Sequence, residues 1–101
     1  MGSETWLNCS YDLEDDILYS IKWYKNGIEF YRFIPSDGPK EYKLNGIYLD
    51  MSKSNYSNVY LRDTDIFSGG TFRCEVSADA PSFQTVSKEK DIIIYREYNL
   101  A

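Results

Sequence analysis

Apolar and polar residues alternate along much of this chain with a period of two, the pattern typical of half-buried β-strands. Tyr19, Ile21 and Trp23, for example, alternate with more polar neighbours. The same pattern predicts eight strands separated by turn residues, over 4–11, 17–25, 28–34, 41–44, 47–52, 59–63, 70–77 and 83–95. The chain is therefore predicted to be all-β.

Turn residues mark where the predicted strands end. Asn26-Gly27 supplies two positive φ angles, the strongest short hairpin pattern, and joins the strands over 17–25 and 28–34. Residues 35–39 begin and end with proline and are expected to break the sheet. Asn45-Gly46 turns the chain again before the next strand.

Two cysteines and a tryptophan add a more specific pattern to these strands. Cys9, Trp23 and Cys74 have the spacing of an immunoglobulin sandwich, in which a disulfide joins strands B and F and the tryptophan of strand C packs against it. Only one pairing is possible, and closing this loop stabilises by roughly 4 kcal/mol in the chain-entropy model. The alternative is two buried free thiols in a cytosolic protein. The additional strands over 28–34 and 41–44 predict a variable-type sandwich.

The expected domain covers nearly the whole sequence. Residues 1–95 are predicted to form a single immunoglobulin domain, and 96–101 a tail or linker. Strand A is expected to be largely absent, because strand B begins almost at the first residue. The sheet edge that this leaves open favours pairing with a second copy. A persistent disulfide implies an extracellular protein, either secreted or attached to the cell surface.

Composition excludes several classes of function. The formal net charge of −5 argues against nucleic acid and against direct contact with an anionic membrane. The chain has no histidine and no serine or cysteine beside a plausible base, so we expect no enzyme activity and no cofactor. The acidic residues over 12–16 do not fit an EF-hand, and no metal site is predicted.

The alternation instead predicts a protein-binding surface on the sheet formed by strands G, F, C and C′. Its expected outward side chains combine aromatic and charged groups, the types common at interaction hot spots. An aromatic loop residue lies at one end. The predicted partner-binding residues are Lys22, Tyr24, Tyr31, Phe33, Arg73, Glu75 and Phe83. The alternative places Tyr31 and Phe33 against strand C″, or Phe33 in the core.

Two asparagines fit the N-glycosylation pattern. Asn55 lies in a polar turn and is the predicted site, whereas Asn8 adjoins the cysteine on strand B and is the weaker candidate. The alternative at each position is an unmodified asparagine.

Several segments resemble a particular family. KWYK at 22–25, EFYR at 29–32, RCEVSA at 73–78 and APSFQTV at 80–86 are similar to the first immunoglobulin domain of the beaten path family of arthropods. The resemblance extends from strand B to the start of strand G. It implies an extracellular neuronal recognition protein with two immunoglobulin domains, acting in axon guidance or synaptic partner choice. It also implies that this domain binds cell-surface receptors of the sidestep family.

The chain departs from common immunoglobulin patterns before its second cysteine. Phe72 stands where many domains have a tyrosine, so the tyrosine-corner hydrogen bond cannot form, a loss of about 1 kcal/mol. Ser68 in place of aspartate removes a possible ion pair. The fold prediction is unaffected. A homophilic adhesion or structural module remains the alternative function.

Overall fold

In the computed structural model, eight strands of the described residues form two antiparallel sheets packed face to face. The structure describes residues 5–11, 13, 16–65, 67–80 and 82–92. In chain order the strands are β1 (Thr5–Leu7), β2 (Leu18–Lys25), β3 (Ile28–Ile34), β4 (Gly38–Glu41), β5 (Tyr48–Leu49), β6 (Val59–Asp63), β7 (Gly70–Ala78) and β8 (Thr85–Ile92). One sheet has the order β1-β6-β5, and the other β4-β3-β2-β7-β8. They correspond in chain order to the predicted strands B, C, C′, C″, D, E, F and G, and the all-β prediction is confirmed.

The core forms around the predicted disulfide. Cys9 and Cys74 are bonded, with their Cα atoms 6.3 Å apart. Trp23 is buried, and its indole Nε1 donates a 3.0 Å hydrogen bond to the carbonyl of Ser57. Inward side chains of both sheets surround this centre, so apolar burial and a covalent link stabilise the same region.

The strand boundaries agree best where the alternation is strong. The strands over 28–34 and 59–63 have the predicted bounds, and the one over 70–77 extends to Ala78. The first and fifth strands are shorter than predicted. Strand C″ begins at Gly38 rather than at residue 41, and includes Pro39. Proline is tolerated there because β4 is a sheet edge, where a missing N–H breaks no ladder on the open side.

An irregularity at the start of β2 changes which residues face the core. The pairing with β7 shifts between Leu18 and Ser20. Ser20 is buried as a result, and Tyr19 is 51% exposed. Alternation with Ile21 and Trp23 predicted that Tyr19 faces inward with them, and for Tyr19 this was wrong.

A β-bulge between β2 and β3 has larger consequences. Trp23 pairs with Tyr31, but the next residue, Tyr24, pairs with Glu29, so Phe30 is an extra residue on β3. Beyond the bulge the faces exchange.

This exchange corrects the predicted orientation of two residues. Tyr31 and Phe33 were expected to be outward, but they are 0% and 5% exposed. Ile28, which alternation with Phe30 predicted to face inward, is 56% exposed for a different reason: it is the first residue of β3, directly after the turn. The alternative that Phe33 is a core residue describes the structure, whereas the burial of Tyr31 in the core was not predicted. A one-residue shift has this effect because side chains alternate strictly between faces.

The two Asn-Gly turns behave as predicted. Asn26 and Gly27 have φ angles of 51° and 82°, as a two-residue hairpin requires. Gly46 has a φ of 86° in the turn between Leu44 and Ile47, which form a bridge. The tail predicted over 96–101 lies outside the described residues.

Ser68 has a structural role at the same end of the domain. It is buried, and its hydroxyl donates to the carbonyl of Gly46 at 2.6 Å and accepts from the backbone N–H of Asp65 at 2.9 Å. Nearby, the Lys25 ammonium donates to the carbonyl of Phe67. These hydrogen bonds hold the two loops together in the region where Ser68, in place of aspartate, was expected to remove an ion pair.

Candidate binding face

Side chains on the outside of the five-stranded sheet form the candidate binding face, here called the outer face. Cross-strand pairing arranges them in rows. The first row begins with Lys40, Arg32 and Lys22 on three neighbouring strands. It continues across β7 and β8 with Glu75 and Ser87. The three cations, here called the cationic row, are direct cross-strand neighbours.

The second row is centred on Tyr24. Tyr24 pairs with Glu29 on one side and Arg73 on the other, and Arg73 pairs with Glu89. The Arg73 guanidinium lies 4.4 Å from the centroid of the Tyr24 ring, and the Tyr24 hydroxyl donates to Glu75 at 3.3 Å. Contacts on both sides therefore hold the Tyr24 ring in place.

The environment of Tyr24 affects its ionisation. Partial burial, together with the negative charge of Glu75, raises the pKa of the Tyr24 hydroxyl above its usual value. The hydroxyl therefore stays protonated and available as a donor throughout the physiological range.

Arg32 is the best-anchored member of the cationic row. Its guanidinium makes two hydrogen bonds to the carboxylate of Glu29, at 2.8 and 2.9 Å. Its charge also lies 5.7 Å from the centroid of the Tyr42 ring. Lys40 has only a long contact of 3.9 Å to Asp37, and Lys22 makes no ion pair within the described residues. Two of the three cations are thus free to meet an external partner.

Charge is unevenly divided over the outer face. The half formed by β2, β3 and β4 carries the cationic row. The half formed by β7 and β8 carries Glu75, Glu89 and Asp91. Asp91 accepts a 2.7 Å hydrogen bond from the Thr71 hydroxyl. These are called the basic half and the acidic half below.

The structure gathers some of the predicted site residues and separates others. Lys22, Tyr24, Arg73 and Glu75 lie together on the outer face. Tyr31 and Phe33 do not, since they are core residues. Phe83 is 69% exposed in the loop between β7 and β8, with a positive φ of 52°. It remains a candidate contact at one end of the face.

Sequence reasoning missed Arg32 and Lys40, and it left Glu29, which it expected to face outward, out of the predicted site. Regular alternation would place Arg32 inward, because the bulge was not foreseen. Adjacent aromatic residues, Phe30 and Tyr31, are the one hint in the sequence, because regular alternation cannot place both inside.

The predicted glycosylation site lies in an exposed turn. Asn55 and Asn58 exchange two backbone hydrogen bonds of 2.9 and 3.0 Å across this turn. The side-chain oxygen of Asn55 accepts from the Tyr56 N–H at 3.0 Å. Glycosylation of Asn55 is sterically possible here and stays a prediction.

Metal sites and membrane spans are two further features that bear on function. Within the ranges that the structure describes, no group of three or more cysteine, aspartate or glutamate side chains is placed to hold a metal ion. The acidic residues Asp12, Glu14 and Asp15 lie outside those ranges. Nor does the described part of the chain contain a helix long and apolar enough to cross a membrane.

Comparison with solved structures shows the class of fold. The chain is similar to the V domain of amphioxus IgVJ-C2, with a TM-score of 0.75 and 16% identity over 94% of this chain and 95% of that domain. It also resembles the longer amphioxus IgVJ-C2 molecule, with a TM-score of 0.73 and 17% identity over 92% of this chain, and spans 52% of its length. CD84, a member of the SLAM family, matches with a TM-score of 0.67 and 17% identity over 96% of this chain and 92% of that one.

These similarities, together with the disulfide and the two sheets, show that the chain is a V-type immunoglobulin domain. Sequence identities of 16–17% show the fold alone. No protein-family model matches the chain, and no curated protein sequence matches it significantly.

Proposed function

We propose that this chain is an extracellular recognition domain that binds a cell-surface receptor of the sidestep type through its outer face, in axon guidance or synaptic partner choice. The choice of partner follows from the segments that resemble the beaten path family. The choice of face is carried by one observation: Tyr24 is held between Arg73 and Glu75 at the middle of the face.

The chemistry of the face supports this use. Tyrosine and arginine are enriched among residues that contribute most to binding, and a ring that is already held loses little entropy on association. Like charges on directly opposed strand positions destabilise a sheet, yet three cations are neighbours here. A partner that places carboxylates over Lys22 and Lys40 would offset that repulsion.

The first test is a binding screen against neuronal immunoglobulin-family ectodomains, sidestep-like receptors included, followed by single substitutions. Tyr24→Ala and Arg73→Ala should each weaken binding of a sidestep-like receptor by about 30-fold, as expected for hot-spot residues. Tyr19→Ala is the matched control, because Tyr19 is an exposed tyrosine of the same strand that lies outside the two rows.

Two outcomes would contradict the proposal. If no sidestep-like receptor binds, the partner is wrong. If one binds but Tyr24→Ala and Tyr19→Ala have equal effects, the face is wrong. Substitution of Tyr31 or Phe33 is unsuitable for this test, because both are buried and their loss would unfold the domain rather than remove a contact.

The basic and acidic halves favour a second candidate, homophilic adhesion. Two copies related by a two-fold axis parallel to the strands would place each basic half against the other's acidic half. Sedimentation at micromolar concentration should then show a dimer that salt weakens. A monomer under these conditions would argue against this candidate and leave the first untouched.

A further inference from the structure

A cavity of about 370 Å³ opens on the side of the sandwich where β4 and β5 lie at the ends of their sheets. The five-stranded sheet contributes Glu41, the last residue of β4, and Lys43 follows just beyond it. The three-stranded sheet contributes Tyr48 and Arg62. The apolar residues of the lining belong to the core or pack against it, and they are Leu44, Ile47 and Leu49.

The cavity lies on the inner side of β4, away from the outer face. Glu41 pairs with Tyr31, which is buried, whereas Lys40 pairs with Arg32 in the cationic row. Cross-strand neighbours share a face of the sheet, so the Glu41 side chain leaves β4 on the side of the core. The polar groups of the cavity are therefore separate from the site proposed for a receptor.

Arg62 lies beside an aromatic ring that is itself anchored. The Arg62 guanidinium is 5.9 Å from the centroid of the Tyr48 ring, and the Tyr48 hydroxyl donates to the carboxylate of Asp65 at 2.9 Å. That carboxylate also accepts from the backbone N–H of Phe67 at 2.8 Å. A guanidinium is a planar fork that can make two parallel hydrogen bonds to a carboxylate. A fork that is already oriented loses less freedom when it binds.

The charges of the cavity are not neutralised by their neighbours. Within the described part of the chain, none of Lys43, Arg62 and Glu41 makes an ion pair. Two cations and one carboxylate give the lining a formal charge of +1, in a chain whose net charge is −5. An anionic group is therefore favoured near Arg62 and Lys43.

The other lining groups favour a ligand that also carries hydroxyls. The Glu41 carboxylate accepts hydrogen bonds, and the Asn45 amide both donates and accepts them. The Tyr48 ring and the apolar lining suit the C–H groups of a sugar ring. The volume is near the lower end of the range for small-molecule sites, so the cavity suits a single sugar better than a length of polymer.

We propose that this cavity binds an acidic sugar of the uronic acid class, as the terminal residue of an extracellular glycan. Arg62 and Lys43 bind its carboxylate, Glu41 and Asn45 bind its hydroxyls, and Tyr48 packs against the ring. This site is independent of the outer face and of the receptor proposed for it.

The test compares methyl β-D-glucuronide with methyl β-D-glucoside, which differ only in a carboxylate in place of a hydroxymethyl group. Each sugar is titrated into the isotopically labelled domain, and the backbone amide chemical shifts are followed by NMR. The glucuronide should bind with a dissociation constant of about 1 mM, ordinary for a ligand of this size. It should bind at least about fivefold more tightly than the glucoside, and the shifts should centre on residues 44–49.

Substitutions in the cavity should remove this preference. Arg62→Gln should lower the affinity for the glucuronide to that for the glucoside, and Lys43→Gln should lower it less. Arg62→Lys keeps the charge but loses the fork, so it should also weaken glucuronide binding. Arg62 and Lys43 are exposed, so we expect all three variants to fold.

The matched control is Lys53→Gln. Lys53 is an exposed lysine between β5 and β6 that does not line the cavity, and the substitution removes the same formal charge as Lys43→Gln. The control should keep the full preference for the glucuronide.

Four results would overturn the proposal. The first is that neither sugar binds, and the second is that both bind equally. The third is that Arg62→Gln and Lys53→Gln weaken glucuronide binding to the same extent, which would indicate a general effect of charge. The fourth is that N-acetylglycine, which has a carboxylate but no hydroxyl, binds as tightly as the glucuronide, which would assign the cavity to a peptide carboxyl terminus.

Discussion

At the scale of single residues, Tyr31 differs most from its predicted role. Its side chain is fully buried, and its hydroxyl donates to the carbonyl of Tyr56 at 3.0 Å. Burial raises the pKa of Tyr31 to about 12. The residue therefore contributes to stability through packing and one hydrogen bond rather than through contact with a partner.

Tyr31→Phe removes the hydroxyl and keeps most of the packing, so we expect the free energy of unfolding to fall by about 1 kcal/mol near neutral pH. Between pH 10 and 12 the unfolded chain loses the Tyr31 proton while the folded chain retains it, so this group makes stability fall as pH rises. The wild type should therefore lose up to about 1 kcal/mol per pH unit more than the variant in that window.

Urea unfolding of both proteins at pH 8 and pH 11 measures the difference. Equal losses in the two proteins would show that Tyr31 titrates normally, as an exposed tyrosine does. A variant as stable as the wild type at pH 8 would show that the bond to Tyr56 contributes nothing.

The core residues of a strand could be predicted from the sequence where apolar and polar residues alternate regularly. Phe72, Cys74 and Val76 are buried as expected. Tyr31 and Phe33 could not be assigned correctly, because the segment is apolar at positions of both parities. The bulge that decides between them depends on the pairing with β2, which no single strand reveals.

At the scale of elements, the turn after β4 shows how closely one loop approaches another. Gly46 is buried with a φ of 86°, and a Cβ atom there would overlap the carbonyl group of Phe67. That carbonyl is held by Lys25, and the carbonyl of Gly46 by Ser68. The two loops are thus packed with no room for a side chain.

Gly46→Ala should destabilise the domain by at least about 2 kcal/mol, from the left-handed backbone and the forced separation of the loops. Gly38→Ala is the control, because Gly38 has a similar φ of 80° with nothing within 4 Å of the added atom. The difference between the two variants' midpoints of thermal unfolding measures the cost of forcing the two loops apart. Equal shifts would mean that the loops separate at no cost.

Turns and strong strands were the elements that sequence predicted well, since Asn-Gly and alternation act locally. The position of β4 was not predicted, because a proline was taken to end the sheet. At an open edge it does not.

At the scale of the whole molecule, the distribution of charge matters more than the net value of −5. The net value argued only against nucleic acid and an anionic membrane surface. Strand order brings Lys22, Arg32 and Lys40 together and leaves Glu75 and Glu89 on the other side. The sequence could not show this separation, because it depends on which strands are neighbours.

If the domain pairs with itself through the two halves, reversing the charges of either half should dissociate the dimer. Mixing two variants with complementary charges should restore it. Lys22→Glu/Lys40→Glu makes both halves of the face mainly acidic, and Glu75→Lys/Glu89→Lys makes both mainly basic. Each variant alone should sediment as a monomer, and an equimolar mixture should form a heterodimer. A variant that still dimerises alone, or a mixture that stays monomeric, would contradict homophilic pairing through this face.

The turn at residues 55–58 has a consequence for how the two sheets are held together. Trp23 and Tyr31, which are neighbours on β2 and β3, donate to the successive carbonyls of Ser57 and Tyr56. The Ser57 hydroxyl in turn donates to the carbonyl of Cys9 at 2.8 Å. Hydrogen bonds thus join the two sheets beside the disulfide, and a reducing environment would break only the disulfide. We expect the exposed turn to resist proteases for the same reason, because displacing it would break both bonds and leave two buried donors, the Trp23 indole and the Tyr31 hydroxyl, without acceptors.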